Sequence, residues 1–145
     1  MSLFDAIDTA ASGLSAERLR MDVVAENLAN AQTTRGADGQ PYRRKVVVLQ
    51  EDAGASFGAT LDGAMKGSRP GGVKVTQIAH DATPNRLVHD PGHPDADARG
   101  YVSMPNVQPV TEMVDLITAS RGYEANVTVM QTAKQMFSKT LEILR

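Results

Sequence analysis

The chain has no cysteine and no tryptophan, and aromatic residues make up only 4% of its 145 residues. Missing thiols exclude a disulfide framework, a thiolate metal site and a cysteine nucleophile. They do not identify a compartment, because a chain without thiols is indifferent to redox environment. Charge of one sign is scarce as well. Residues 1 to 34 carry two basic and five acidic groups, residues 35 to 100 nine and eight, and residues 101 to 145 four and four, and no like-charge run exceeds Arg43-Arg44-Lys45. That is no footprint for nucleic acid or an anionic membrane. No segment reaches the roughly 18 uncharged apolar residues of a membrane span. The N-terminus has Asp5 and Asp8, no Lys or Arg before Arg18 and no continuous apolar core, so a cleavable secretory signal is not expected.

Proline and glycine are missing from particular places. All seven prolines lie between Pro41 and Pro109, and ten of twelve glycines between Gly36 and Gly100, which leaves both ends almost free of helix breakers. The expected architecture is mainly α with a small β-rich middle. It divides into an N-terminal helical region over 1–34, a Gly/Pro-rich middle over 35–108, and a C-terminal helical region over 109–145.

Residues 2 to 33 form one amphipathic pattern. Leu3, Ile7, Ala10, Leu14, Met21, Val24, Leu28 and Ala31 recur at three- and four-residue spacing, and Ser2 is placed to cap the helix ahead of Asp5. Residues 110 to 144 form a second, with Met113, Leu116, Tyr123, Val127, Met130, Phe137, Leu141 and Leu144 on one stripe and Pro109 at the first turn. Each helix carries a further apolar stripe. On the second it is Val114, Ala125, Val129, Met136 and Ile143; on the first, more weakly, Ala16, Leu19 and Val23. One partner helix covers only one stripe, so the pattern implies several neighbours, including other chains. Helices of this length span about 48 and 53 Å, against a radius of gyration near about 15 Å for a compact chain of this size.

The middle offers strand candidates at Tyr42 to Gln50, Val73 to Ala79, Arg86 to His89 and Tyr101 to Ser103. Residues 53–72, with six glycines, read as a long flexible loop. Strands so few and short make a small β element rather than a sandwich. The basic run Arg43-Arg44-Lys45 beside Tyr42 reads as a solvated strand edge in preference to a phosphate or nucleic-acid patch.

One constellation could carry chemistry. His80, His89 and His93, with Asp81, Asp90, Asp95 and Asp97, fall within eighteen positions and are suitable ligand types for a divalent metal. A metal-dependent hydrolase using His80, His89, His93 and Asp97 is therefore one alternative. Pro91, Gly92 and Pro94 prevent a helix from aligning His89 with His93, and Asp-Pro-Gly is turn chemistry, so structural turns account for the same residues. There is no Gly-x-Ser-x-Gly elbow and no phosphate-cradling glycine loop. Tyr123 and Phe137 lie on the helix stripe and read as packing groups. No cofactor is expected.

Several segments resemble flagellar rod and hook axial proteins, and among them the proximal rod subunits. They are Ser12-Gly13-Leu14-Ser15-Ala16, Ala25 to Thr34, Pro41-Tyr42-Arg43-Arg44-Lys45, Val88 to Asp97, Gly100 to Val107, Pro109 to Leu116 and Ala119 to Val127. Gly122 stands where that family usually has alanine, a change costing about 0.5–1 kcal/mol of helix propensity. The resemblance implies a non-enzymatic subunit of the hollow rod that transmits torque from motor to hook. It implies export through the flagellar type III apparatus without a cleaved signal and assembly across the periplasm. It also implies the terminal helices paired as an antiparallel-type coiled coil forming an inner layer. Implied partners are other copies of the chain, other rod proteins and an MS-ring or adaptor protein at the rod base. No nucleic acid, small-molecule substrate or membrane insertion is expected. The expected assembly interface runs along Leu14, Met21, Leu28, Val114, Tyr123, Val129 and Met136, with adjacent subunits covering the second stripe of each helix. An exported helical adaptor is the remaining alternative.

Overall fold

The computed structural model describes residues 3–36, 38–52 and 71–143. Its elements are α1 (Leu3–Ala29), β1 (Lys45–Asp52), β2 (Gly72–His80), β3 (Arg86–His89), β4 (Tyr101–Met104) and α2 (Pro109–Ile143). The Ser2 cap and Leu144 lie outside the described residues. So does the glycine-rich stretch expected as a loop, apart from Gly71 and Gly72, the latter opening β2.

Helix α1 stops at Ala29, four residues before the expected end. The Asn30 amide donates to the Glu26 carbonyl at 2.9 Å, and the chain then tightens. Ala31 N–H reaches the Leu28 carbonyl at 3.3 Å, and Thr33 N–H the Asn30 carbonyl at 3.1 Å. These three-residue bonds end the α geometry. Helix α2 begins on Pro109, whose missing N–H falls among donors that lack intrahelical partners anyway. Thirty-five residues make it about 52 Å long.

The two helices pack antiparallel, and facing residues define one register. Gly13 lies opposite Asn126, Glu17 opposite Gly122, and Asn27 opposite Glu112, so the paired numbers total 139 each time. Along α2, Glu112, Ala119 and Ala133 are buried and Leu116, Tyr123, Asn126 and Met130 half-buried, a run stepping alternately by four and three. On α1 the buried side chains are Ala10, Ala16, Val23, Val24 and Asn27. The fully buried positions of the seam on α2 are thus small or polar, with Leu116, Tyr123 and Met130 half-buried between them. Leu14, Met21 and Leu28 are half-buried on its flank rather than at its centre. A Cβ at Gly13 would stand 2.8 Å from the Asn126 amide nitrogen, so that glycine permits the close approach. Gly122 plays a similar part: a Cβ there would meet the Glu17 carboxyl carbon at 3.2 Å. Its propensity cost therefore coincides with a tight crossing.

Strands β1 and β2 form an antiparallel hairpin in which Lys45 faces His80 and Asp52 faces Gly72. The register shifts after Val48, where Thr76 is the extra residue and its hydroxyl donates to the Val48 carbonyl at 3.1 Å. β3 and β4 make a separate hairpin from Arg86 opposite Met104 to His89 opposite Tyr101. The first hairpin packs on α1. At one end the Val73 N–H donates to the Ser12 hydroxyl at 3.1 Å; at the other the Lys45 N–H donates to Asn27 Oδ1 at 2.9 Å.

This corrects an expectation. Ala16 and Val23 on the second stripe of α1 are 3% and 5% exposed in the isolated chain, without any adjacent subunit. The hairpin supplies the cover, because strands of eight and nine residues run for about 26–30 Å, long enough to follow α1 from Asn27 to Ser12.

Candidate assembly surface and polar junction

The sheet and both helices meet at a polar junction. Of the four largest fully buried side chains, two are Glu112 and Asn27. Every hydrogen-bonding position of Asn27 is used. Its amide donates to the Lys45 carbonyl at 2.8 Å and to Glu112 Oε2 at 3.0 Å, while its oxygen accepts from Tyr42 OH and from Lys45 N–H, both at 2.9 Å. Glu112, wholly buried, also accepts from Arg44 Nε at 2.6 Å. The rest of the Arg44 guanidinium reaches Asp115 at 3.2 Å and Asp81 at 3.5 Å. Asn106 ties in the second hairpin: its oxygen accepts from Arg44 N–H at 2.8 Å and its amide donates to the Thr83 carbonyl at 3.0 Å.

Charge in the junction follows this geometry. Burial pushes the Tyr42 phenol up to about 12, helped by the negative charges of Glu26 and Glu112. Burial works against the Arg44 cation, but its hydrogen bond to Glu112 and the charges of Glu112, Asp115 and Asp81 outweigh that and raise it above the ordinary arginine value. Asp81 is held below the usual carboxylate value, first by hydrogen bonds from the Thr83 hydroxyl and N–H and then by Arg44.

The basic run is therefore not a solvated edge. Arg43 is exposed, but Arg44 turns inward against three carboxylates and Lys45 pairs with Glu26. The same commitment explains why β1 starts at Lys45 and not at Tyr42. Tyr42 N–H donates to the Thr33 carbonyl and Arg44 N–H to Asn106, so neither N–H is available to a ladder, although the Arg44 carbonyl still accepts from Asp81 N–H at 2.8 Å.

The His/Asp segment forms turns. Asp90 Oδ1 accepts the Gly92 N–H at 3.1 Å, His93 Nδ1 accepts the Asp95 N–H at 3.0 Å, and Asp97 Oδ1 accepts the N–H groups of Arg99 and Tyr101 at 2.8 and 2.9 Å. Asp95 takes the Thr34 hydroxyl at 2.8 Å and faces Arg35 at 3.4 Å. The His89 ring meets Tyr101 edge to face at 5.0 Å, and His80 is exposed at the end of β2. Gly100 closes the loop at φ +78°, where a Cβ would also stand 3.1 Å from Pro91. Among the described residues no three His, Cys, Asp or Glu side chains are grouped to hold a metal ion. His93 and Asp97 already hold loop backbone, so the hydrolase alternative lacks an assembled centre.

Where the interface residues stand divides them into two groups. Leu14, Met21, Leu28 and Tyr123 are half-buried along the seam between the helices. Val114, Val129 and Met136 are 57%, 48% and 58% exposed on α2. Val110, Met113 and Ile117, at 70%, 45% and 55%, extend this patch with Val114 over the first two turns at three- and four-residue spacing. Val110 and Ile117 were outside the expected stripes; three- and four-residue steps back and forward from Val114 would have found them.

Comparison with known proteins agrees with this picture. Residues 7–37 match the family model described as "Flagella basal body rod protein", and residues 98–143 the one described as "Flagellar basal body rod FlgEFG protein C-terminal". The chain is 50% identical to the flagellar basal-body rod protein FlgC of Bacillus subtilis, with 99% of each chain covered. It is 49% identical to FlgC of Yersinia enterocolitica and 47% to FlgC of Salmonella typhimurium, covering 99% of this chain and 98% of either relative. Two long packed helices, a small β middle and near full-length identity lead to one conclusion: the chain belongs to the FlgC family of flagellar basal-body rod proteins, structural rather than enzymatic components that assemble with other flagellar parts.

Proposed function

We propose that the chain is a subunit of the proximal rod, the hollow shaft that passes torque from motor to hook, and that the exposed row on α2 is its main assembly surface. The observation that carries this is Val110, Val114, Ile117, Val129 and Met136 standing 48–70% exposed on one helix. Fully burying a side chain of this size contributes about 1.5–3 kcal/mol, and these are already partly covered, so a neighbour covering the row gains roughly half of that increment at each of several positions. In this reading α1 and α2 act as an antiparallel coiled-coil-type inner layer toward the channel, and the hairpins form the outer part. Leu14, Met21, Leu28 and Tyr123 complete the interface from the seam's flank.

The reading divides the chain into an inner helix over 1–34, an outer middle over 35–108 and a second inner helix over 109–145. The partners are copies of the chain, other rod proteins and an MS-ring or adaptor protein at the base. A head-to-tail contact between unlike patches extends instead of closing, as a rod requires. Delivery is through the flagellar type III apparatus, without a cleaved signal, into the periplasm.

Val129→Asp tests this. The variant should accumulate as soluble folded protein yet give no purified basal bodies and no motility. Normal motility with an intact rod would refute the assignment of this face.

A further inference from the structure

The seam between α1 and α2 poses a problem of specificity. Its close crossings involve Gly13 and Gly122, and its buried positions include Ala10, Ala119 and Ala133. Ala119 and Ala133 stand seven residues to either side of Asn126, so sliding one helix by seven residues sets Gly13 against a small residue again. Gly13, opposite Asn126 in the observed alignment, would meet Ala119 after a slip in one direction and Ala133 after a slip in the other. Such a slip displaces the helices by about 10.5 Å. Shape alone does not forbid it at Gly13, which meets alanine after either slip.

We propose that the buried Asn27–Glu112 pair sets the axial register of α1 against α2. Glu112 is fully buried, and its carboxylate accepts from Asn27 and Arg44. Both partners travel with α1. Tyr42 OH and both main-chain groups of Lys45 end on Asn27, so the segment 42–45, with Arg44 in it, is fastened to that helix. Sliding α2 by seven residues in either direction therefore separates Glu112 from both at once; in one direction it comes opposite Arg20 of α1, which lacks the hydrogen bonds of the junction, and in the other it lies beyond Ala29, the end of α1. A carboxylate left buried without its partners is far costlier than the net gain from forming the pair, so the junction acts chiefly against wrong alignments. A single buried asparagine fixes register in coiled coils on the same principle.

The consequence reaches the outer surface. Because the first hairpin is carried by α1, the register fixes where that hairpin lies along α2 and which turns of the α2 row stand beside it. On the rod-subunit reading, this converts one buried contact into the spacing between inner and outer parts of every subunit.

The absence of cysteine gives a clean test by paired substitution. Glu17→Cys with Gly122→Cys reports the observed register. Glu17→Cys with Val129→Cys, and Ala10→Cys with Gly122→Cys, report slips of seven residues in the two directions. Each pair is oxidised in the soluble full chain and in purified basal bodies, and cross-links are read by peptide mass spectrometry.

With the junction intact, the two slipped pairs should yield about a hundredfold less cross-link than the native pair. Glu112→Met, which keeps volume but removes the polar contacts, should bring slipped and native yields within about tenfold of each other. Glu112→Gln, whose single amide oxygen can accept from Asn27 or Arg44 but not from both, should give a ratio between those of the native chain and Glu112→Met. An unchanged ratio in Glu112→Met, or ready slipping with the junction intact, would overturn the proposal. Measurement in the soluble chain keeps the register claim separate from the rod reading, which fails only if the chain is absent from basal bodies.

Discussion

Arg44→Leu is the sharpest perturbation of the fold. It removes the cation that faces Glu112, Asp115 and Asp81 while leaving the hydrogen bond from Asn27 to Glu112. Asp115 and Asp81 side chains are 32% and 26% exposed and can turn to water, so each loses little. Glu112 has no exposure and cannot turn to water. Stranding one partner of a buried pair costs about 3–5 kcal/mol, and the surviving Asn27 bond places this case at the low end, about 3 kcal/mol. Removing both charges is predicted to be milder: Arg44→Leu with Glu112→Leu should be more stable than Arg44→Leu alone, because no buried charge remains. Urea unfolding of the full chain, followed by helical circular dichroism at pH 7, measures all three variants and their coupling. A loss under about 0.5 kcal/mol for Arg44→Leu, or a double variant no more stable than the single, would refute the reasoning.

Two other predictions follow from local geometry. Gly100→Ala places a Cβ at φ +78° against Pro91, so it should destabilise the chain by about 1–2 kcal/mol, whereas Gly92→Ala, whose Cβ would meet only Asp90 Oδ1 at 3.5 Å, should cost less; comparing their unfolding midpoints checks this. Burial and the charges of Glu26 and Glu112 push the Tyr42 phenol up to about 12 from the ordinary 10.0. The raised value favours the protonated phenol in the folded chain, so stability is retained below pH 10 and declines as pH rises from 10 towards 12. Tyr42→Phe, which has no phenol to ionise, should lack that component of the decline when unfolding is measured across this range.

The helices and strands were legible because their residues announce themselves locally. Arg86 to His89 appears as a strand where alternation and flanking turn residues placed it, and α2 begins within one residue of the expected start. The seam was legible only in part: Leu116, Tyr123 and Met130 of the expected stripe stand in it, but hydrophobic periodicity points to large side chains and passes over the small ones. Leu14, Met21 and Leu28 drew attention to the flank, while the crossing itself is made by Gly13, Ala119 and Gly122. The junction was hidden for another reason. Asn27 and Glu112 are 85 residues apart, and Arg44 and Glu112 68 apart, so no window contains them together. A faint signal was present: Asn27 interrupts the apolar run between Val24 and Leu28, and polar residues on a core face require buried partners.

The second stripe shows the limit of wheel arithmetic. Opposed apolar faces imply a second neighbour but do not say whose. On α1 the neighbour is the chain's own hairpin, held at Ser12 and Asn27. On α2 the row containing Val114 and Val129 remains exposed.

That row carries the central claim, and the cysteine-free chain allows a direct measurement. Val114→Cys places one thiol on a position that is 57% exposed in the isolated chain. Maleimide labelling should be rapid on the soluble protein and strongly suppressed in purified basal bodies, with reactivity restored on dissociation. Equal labelling rates in the soluble chain and the assembled rod would contradict the assignment of α2 as the surface that neighbours cover.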